Sequence, residues 1–270
     1  MRQFSKIMLL AALAVVGSAC GAQSPRPTST TATRVAPSSL PRKITSEFPS
    51  PVSAALGYLA SHTSMPLLAP LTIPANLSAK ATSTKSGYTV SLYRCQSQFP
   101  LNSPEIGGPP NCSGLASYIG EFGGTDYPTS VTANLQLLNS QIQSARFCGS
   151  NSNVSQRVNL VQGIQGVLNG TKGVSGYCEM RFELDGWSVV IGGNAALYSI
   201  SSAKREGQRV IGQMTKVRLP GKDGIALIQI AGDGNHTWLG WTRGQNLYVV
   251  GAYHFASAAF AMAGSSAVVG

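Results

Sequence analysis

Apolar residues follow one rule in the first fifty positions of this chain and another after them. Ile7 to Val16 is an unbroken apolar run of ten residues, with Arg2 and Lys6 before it and small residues after it. Residues 21–50 carry almost no apolar periodicity and are rich in Pro, Ser and Thr. From Pro51 the pattern turns periodic. Val52, Ala55, Leu56 and Leu59 predict a helix over 51–61. Pro66, Pro70 and Pro74 then exclude a continuing helix and leave an apolar extended stretch. Tyr88, Val90, Leu92 and Arg94 alternate with Thr89, Ser91 and Tyr93, which predicts a strand over Gly87 to Cys95. A second strand is expected at Leu115 to Phe122. Val131, Leu135, Leu138, Ile142 and Ala145 then predict an amphipathic helix over 131–146, capped by Thr129 or Ser130. Strands are expected at Val158–Val167, Tyr177–Leu184 and Trp187–Ile191, with turns at Asn169-Gly170 and Asp185-Gly186. Ile200, Ala203, Val210, Ile211 and Met214 share one helical face. After Pro220-Gly221 come strands at Gly224–Ala231, His236–Thr242 and Leu247–Tyr253. A last helix over 255–266 would bury Phe255, Ala259 and Met262.

The segments 158–214 and 224–266 align as two copies of a hairpin that runs into a helix. FELDGWSVVIGG pairs with WTRGQNLYVVGA, and a helix ends each copy. The expected fold is therefore α+β, an antiparallel β-sheet built from repeated hairpin-plus-helix units with helices on one face. Residues 1–19 read as a signal peptide, 20–50 as a tether and 51–270 as a single body. The closing unit, with Trp241, Gly244, Tyr248 and the 255–266 helix, resembles a C-terminal module of uncharacterised secreted and lipid-anchored proteins of Gram-positive bacteria. That resemblance covers about 45 residues and implies no activity.

The positive start, short apolar run and small-residue exit form a secretory signal, too short to span a bilayer. Its exit, Gly17-Ser18-Ala19-Cys20, resembles the lipobox of bacterial lipoproteins, with Gly17 standing where Leu or Val is usual. The resemblance implies that Cys20 is diacylated and becomes the first mature residue. The body would then sit on the outer face of the cell membrane, lifted off it by a semi-extended Pro/Ser/Thr tether.

Charged residues are few, 11% of the chain, and Gly and small polar residues replace them. With only 10 Asp and Glu, acid is expected to destabilise the body little. The net charge of +10 is scattered, and no basic run is interleaved with aromatics. This argues against a nucleic-acid partner. An anionic cell-wall polymer or another envelope protein fits better. Cys95, Cys112, Cys148 and Cys178 are an even set in an exported chain and suggest two disulfides. Three connectivities are open. Cys95–Cys112 with Cys148–Cys178 closes the most local loops.

The same residues offer little chemistry. The cysteine gaps match no metal site, and no cofactor motif occurs. His62, His236 and His254 stand in no ligand or base motif. Ser201-Ser202-Ala203-Lys204 has the S-x-x-K spacing but lacks the motifs that accompany it in penicillin-binding proteins. Glu179, Glu183 and Asp185, with Arg181, are expected on one polar sheet face, or as a carboxylate pair for glycoside hydrolysis. Trp187, Trp238, Trp241 and Tyr248 are core residues or, on an open face, a ligand-stacking platform. No catalytic residue is assigned. The function expected is a non-catalytic binding or sensing module of the envelope. An envelope hydrolase with an unrecognised site, or an accessory subunit of a membrane complex, is the alternative.

Overall fold

The computed structural model describes residues 47–112, 117–144, 152–161, 163–171, 176–193, 197, 199–230 and 235–269. Cys20, the signal run and the tether up to residue 46 lie outside them. Helix α1 (Ser50–Ala60) begins with Pro51 in its first turn and buries Val52, Ala55, Leu56 and Leu59, the face its spacing predicts. Among the described residues, ten strands form one sheet. Its spatial order is β2 (Ser78–Thr84), β3 (Gly87–Tyr93), β4 (Tyr118–Asp126), β11 (Asn246–Tyr253), β10 (His236–Arg243), β9 (Gly224–Ile230), β8 (Trp187–Gly193), β7 (Glu179–Leu184), β6 (Ile164–Thr171) and β5 (Ser152–Val161). Strands β1 (Leu68–Pro70) and β12 (Ser266–Val268) pair separately as a small antiparallel sheet.

The expected antiparallel sheet of repeated hairpin-plus-helix units, with helices on one face, is not what forms. The sheet is mixed, because β8 and β9 run parallel, with Trp187 opposite Gly224 and Ile191 opposite Ile228. Helix α3 (Ile200–Met214) is the cause. It connects β8 to β9 as a crossover, which a parallel pair requires. Its counterpart α4 (Ala256–Gly264) leads instead into β12 of the separate sheet. The two segments therefore take different roles and are not copies.

Helices also cover both faces. On the first face α1 packs on β2, α3 on β5 and β7, and α4 on β10 and β11. Between them and the sheet lies the main core, including Leu56, Leu92, Phe122, Met180, Trp187, Ile228, Trp241, Tyr248 and Phe260. Helix α2 (Ser130–Ser144) packs on the second face, over β8 to β11. It carries the chain from β4 toward β5, seven strand spacings and roughly 33 Å away. Leu137, Ile225 and Leu247 form a smaller core beneath it, with Leu227, Trp238 and Val249 alongside. Strands β9 and β11 thus bury both faces, which explains their near-continuous apolar runs.

Several local expectations change. Val158–Val167 is not one strand. It breaks at Gly163, whose φ of 80° makes the turn between β5 and β6. Asn169-Gly170 lies inside β6 rather than in a turn. Asp185 (φ 50°) and Gly186 (φ 80°) do form the tight hairpin between β7 and β8. Among the described side chains of α2, Ala133 and Leu137 are buried, while Val131 and Leu135 are 66% and 53% exposed. The side chains of Leu138 and Ile142, and all of Ala145, lie outside the described residues. On α4 it is Phe260 that is buried, and Phe255 before the helix is exposed. Ile200 on α3 is exposed as well.

Candidate functional site

Strand order determines what meets on the second face. Tyr88, Val90 and Leu92 of β3 enter the main core, so Thr89, Ser91 and Tyr93 turn to the other side. In β4, Phe122 is in the core and Glu121 turns away from it. The register shifts between Leu92 and Tyr93, so that Leu92 faces Gly120 and Tyr93 faces Tyr118. This bulge leaves one extra residue in β4 and re-aims Tyr118 onto the second face, beside Tyr93. Neighbouring β11 adds Tyr253 and Gly251, and β10 adds His236 opposite Tyr253.

The result is a row of four rings across four strands. Tyr93 and Tyr118 meet edge to face at 5.3 Å between centroids, and Tyr118 and Tyr253 do so at 5.0 Å. Tyr253 and His236 stack at 4.2 Å. The row spans three strand spacings, about 14 Å. Each ring is half-buried. Beside it run Lys80, Ser91, Glu121 and Gly251, paired in register across β2, β3, β4 and β11. The Tyr118 hydroxyl donates to Glu121 Oε2 at 2.8 Å.

Gly251, which is buried, adds no side chain to this second row. A Cβ placed there would sit 3.4 Å from Glu121 Cγ, 3.8 Å from Glu121 Oε1 and 3.9 Å from His236 Nε2. A carboxylate and an imidazole therefore border the same small space. Burial, reinforced by the Glu121 charge, pushes the Tyr118 phenol far up, so it remains a donor at all working pH values. Burial also raises Tyr93, against a hydrogen bond with Ser91 that lowers it. Burial pushes the His236 imidazole down, which keeps it neutral near pH 7. The cluster presents aromatic edges, hydroxyls, one carboxylate and one neutral imidazole on a shelf beside α2. Among the described residues, surface hollows of about 470 Å³ at the β5–β6 turn near Lys204 and about 520 Å³ around Cys95 lie elsewhere.

The residues singled out from the sequence are scattered. Trp187, Trp241 and Tyr248 are 1–2% exposed in the main core, where Trp241 packs between the other two rings. Trp238 alone lies on the second face, half-buried and packed over Gly240 beside Leu137. The four are therefore not one platform. Glu179 does share a face with Arg181 and Glu183, but the face is not simply solvated there. Glu179 is 2% exposed, forms an ion pair with Arg181 and accepts from Asn169 Nδ2 at 2.9 Å. Glu183 is exposed, and Asp185 belongs to the turn. Glu179 is thereby committed to a structural pair. His62 stacks on Tyr58 at the end of α1, its Nδ1 2.6 Å from the Tyr58 carbonyl oxygen. Ser202 of the S-x-x-K match closes a capping box with Ser199 at the start of α3.

Cys95 and Cys112 form a disulfide. Cys178 is also disulfide-bonded. Its expected partner Cys148 lies outside the described residues, as does the lipidation candidate Cys20. Among the described residues no group of three or more His, Cys, Asp or Glu could hold a metal ion. None of their helices is long and apolar enough to cross a membrane. Alternation along β3 already placed Tyr93 opposite the core. What the sequence withheld was the neighbour order β3–β4–β11–β10 and the bulge, which together assemble Tyr93, Tyr118, Glu121, Tyr253 and His236. No family model matches the chain, nor does any curated protein or solved structure.

Proposed function

We propose that this chain is a lipid-anchored, extracytoplasmic binding module of a bacterial envelope, and that its ligand lies along the shelf on the second face. One observation carries the reading. Four half-buried rings from four different strands line up on the second face of the sheet, beside Glu121 and Gly251. A row of half-exposed rings with interspersed polar groups suits recognition, since aromatic rings bring contact area at little entropic cost. Among the described residues, Glu121 and His236 are the acid–base pairing on the shelf. Ser91, the hydroxyl next to Glu121, is engaged with Tyr93. That supports binding over hydrolysis.

The signal run, Gly17-Ser18-Ala19-Cys20 and the Pro/Ser/Thr tether support the anchor. Mass spectrometry of the mature protein tests it directly. An amino-terminal peptide beginning at acylated Cys20 is expected, and an unprocessed Met1 terminus refutes the anchor. For the shelf, turnover of wall polymers and ester substrates is measured alongside binding of the same polymers. Binding without turnover is expected, with loss of binding in Tyr118→Ala. Turnover abolished by Glu121→Gln or His236→Gln would establish a hydrolase instead.

A further inference from the structure

We infer that the outer edge of β5 takes an acidic peptide, which adds to the sheet as a further strand with its carboxylates at Arg157 and Lys204. The site is separate from the ring row, since β6 to β9 lie between them. The two edges of the sheet differ. Along β2, Asn102 of the following loop accepts from Ala81 N and donates its own N–H to the Ala79 carbonyl oxygen. Among the described residues no strand pairs with the outer side of β5, and Val154, Ser155, Gln156, Arg157 and Asn159 are exposed. Pairing with β6 runs in step from Val154 opposite Gly170 to Asn159 opposite Gln165, and a register shift ends it on either side. That regular stretch is about 20 Å long. Every second residue in it directs N–H and C=O away from β6. A row of such groups is satisfied by another extended backbone. Past the stretch, Leu160 stands without an opposite residue in β6, and Gln208 Nε2 donates to its carbonyl oxygen at 2.6 Å. Helix α3 thereby closes the ladder at that end.

Charge selects the strand that fits. Neither β5 nor β6 contains Asp or Glu. Val158 enters the main core, so the exposed Arg157 turns to the second face. Lys204 belongs to α3 on the first face and lines the hollow of about 470 Å³ at the end of β5, together with Asn159, Leu160 and Ile164. The ion pairs among the described residues are Glu179–Arg181 and Glu206–Arg209, so neither cation is engaged. A strand laid along β5 therefore meets one cation on each of its faces. Carboxylates an odd number of positions apart point to opposite faces and reach both. The hollow gives the one at Lys204 room beyond the last backbone pair. A second copy of this chain fits poorly, because β5 brings no carboxylate to either cation and sets Arg157 of each copy against the other edge. Cations on an edge strand discourage pairing with a like edge, and an acidic strand reverses the sign.

The test uses the isotope-labelled full chain carrying Cys20→Ser. It is titrated with a blocked Thr/Val heptapeptide bearing two Glu three positions apart, and separately with the same peptide bearing Lys in their place. The Glu peptide is expected to move the backbone amide signals of Val154 to Asn159 and to leave those of Ser78 to Thr84, on the covered edge, in place. Arg157→Glu and Lys204→Glu alter exposed side chains, and each should weaken the Glu peptide by about fivefold. The double variant should prefer the Lys peptide. Strand addition is read without altering the protein further, from two Glu peptides N-methylated on alternate sets of backbone nitrogens. The set that removes the donors facing β5 should abolish binding, and the other should leave it intact. Equal affinities for the two methylated peptides, or for the Glu and Lys peptides, overturn the proposal. So does an absence of shifts along β5. A dimer of the chain alone whose contact maps to Val154–Asn159 would give the edge to a second copy and overturn it as well.

Discussion

At the scale of single residues, His236 and Tyr118 carry the most physical consequence. The imidazole of His236 is stacked on Tyr253 and bordered by Glu121, and burial lowers its proton affinity. The unfolded chain therefore binds a proton near pH 6.5 that the folded chain accepts only at lower pH. Stability should be level above that value and fall as pH drops from about 6.5 toward the folded-state value, because protons favour the unfolded chain in that window. His236 is the histidine whose proton affinity burial lowers, and its replacement isolates that ring's share of the pH dependence. Urea unfolding of His236→Gln should show a flatter dependence between pH 7 and pH 5 than the native chain. Equal slopes in the two would refute this. Tyr118→Phe deletes the hydroxyl that meets Glu121 and leaves the ring. A loss of about 1.5–3 kcal/mol is expected by chemical denaturation, the usual range for a hydrogen bond to a charged group.

At the scale of elements, α2 shows both what periodicity reveals and what it conceals. Its position was legible, and Thr129 caps it by accepting from Thr132 N at 3.1 Å. Its orientation was not. The predicted apolar stripe contains Val131 and Leu135, yet among the described side chains of α2 those against the sheet are Ala133, Leu137 and Asn134, which accepts from the Thr242 hydroxyl at 2.8 Å. The sheet supplies the reason. Gly240 has no side chain, so Trp238 lies flat across it and Leu137 follows. A Cβ at 240 would stand 2.3 Å from Trp238 Cη2 and 2.9 Å from Leu137 Cδ1. Small residues that allow close approach are invisible to an apolar count. Leu137→Ala is therefore expected to cost about 2–3 kcal/mol, as a buried truncation does. Leu135→Ser should change stability by no more than about 0.5 kcal/mol. Denaturant midpoints of the two variants check this, and the reverse ranking would show that the predicted stripe is the buried one. The same concealment applies to the site. Alternation within β3 is local and legible, whereas the ring row depends on four strands that come from residues 87 to 253.

At the scale of the whole molecule, the ten-stranded sheet of the described residues must manage two edges. Strand β5 ends one side, where Gln208 Nε2 donates to the Leu160 carbonyl oxygen at 2.6 Å. Strand β2 ends the other, and the loop from Gln96 to Cys112 lies along it. Asn102 Oδ1 accepts from Ala81 N at 2.7 Å, Asn102 N donates to the Ala79 carbonyl oxygen at 3.1 Å, and Phe99 N donates to Ser78 Oγ at 2.9 Å. Ile106, fully buried, holds the loop down from within. The Cys95–Cys112 disulfide closes this loop across 17 positions. It therefore does more than shorten the unfolded chain, for it keeps a cover over backbone groups that would otherwise pair with another molecule. The long loop was legible as a disulfide-closed segment, but β2 itself was not, since Ser78–Thr84 shows only Ala79 and Ala81 toward the core. Replacing both cysteines, Cys95→Ser with Cys112→Ser, should lower stability by about 3 kcal/mol through loop entropy. It should also produce concentration-dependent association of the folded chain as the β2 edge is released. Reductant is the wrong tool here, because Cys178 is oxidised too. Chemical denaturation and light scattering on the double variant separate the two effects. Loss of stability without association would mean that Asn102 and Ile106 hold the loop unaided, and no loss of either kind would leave the disulfide without a structural role.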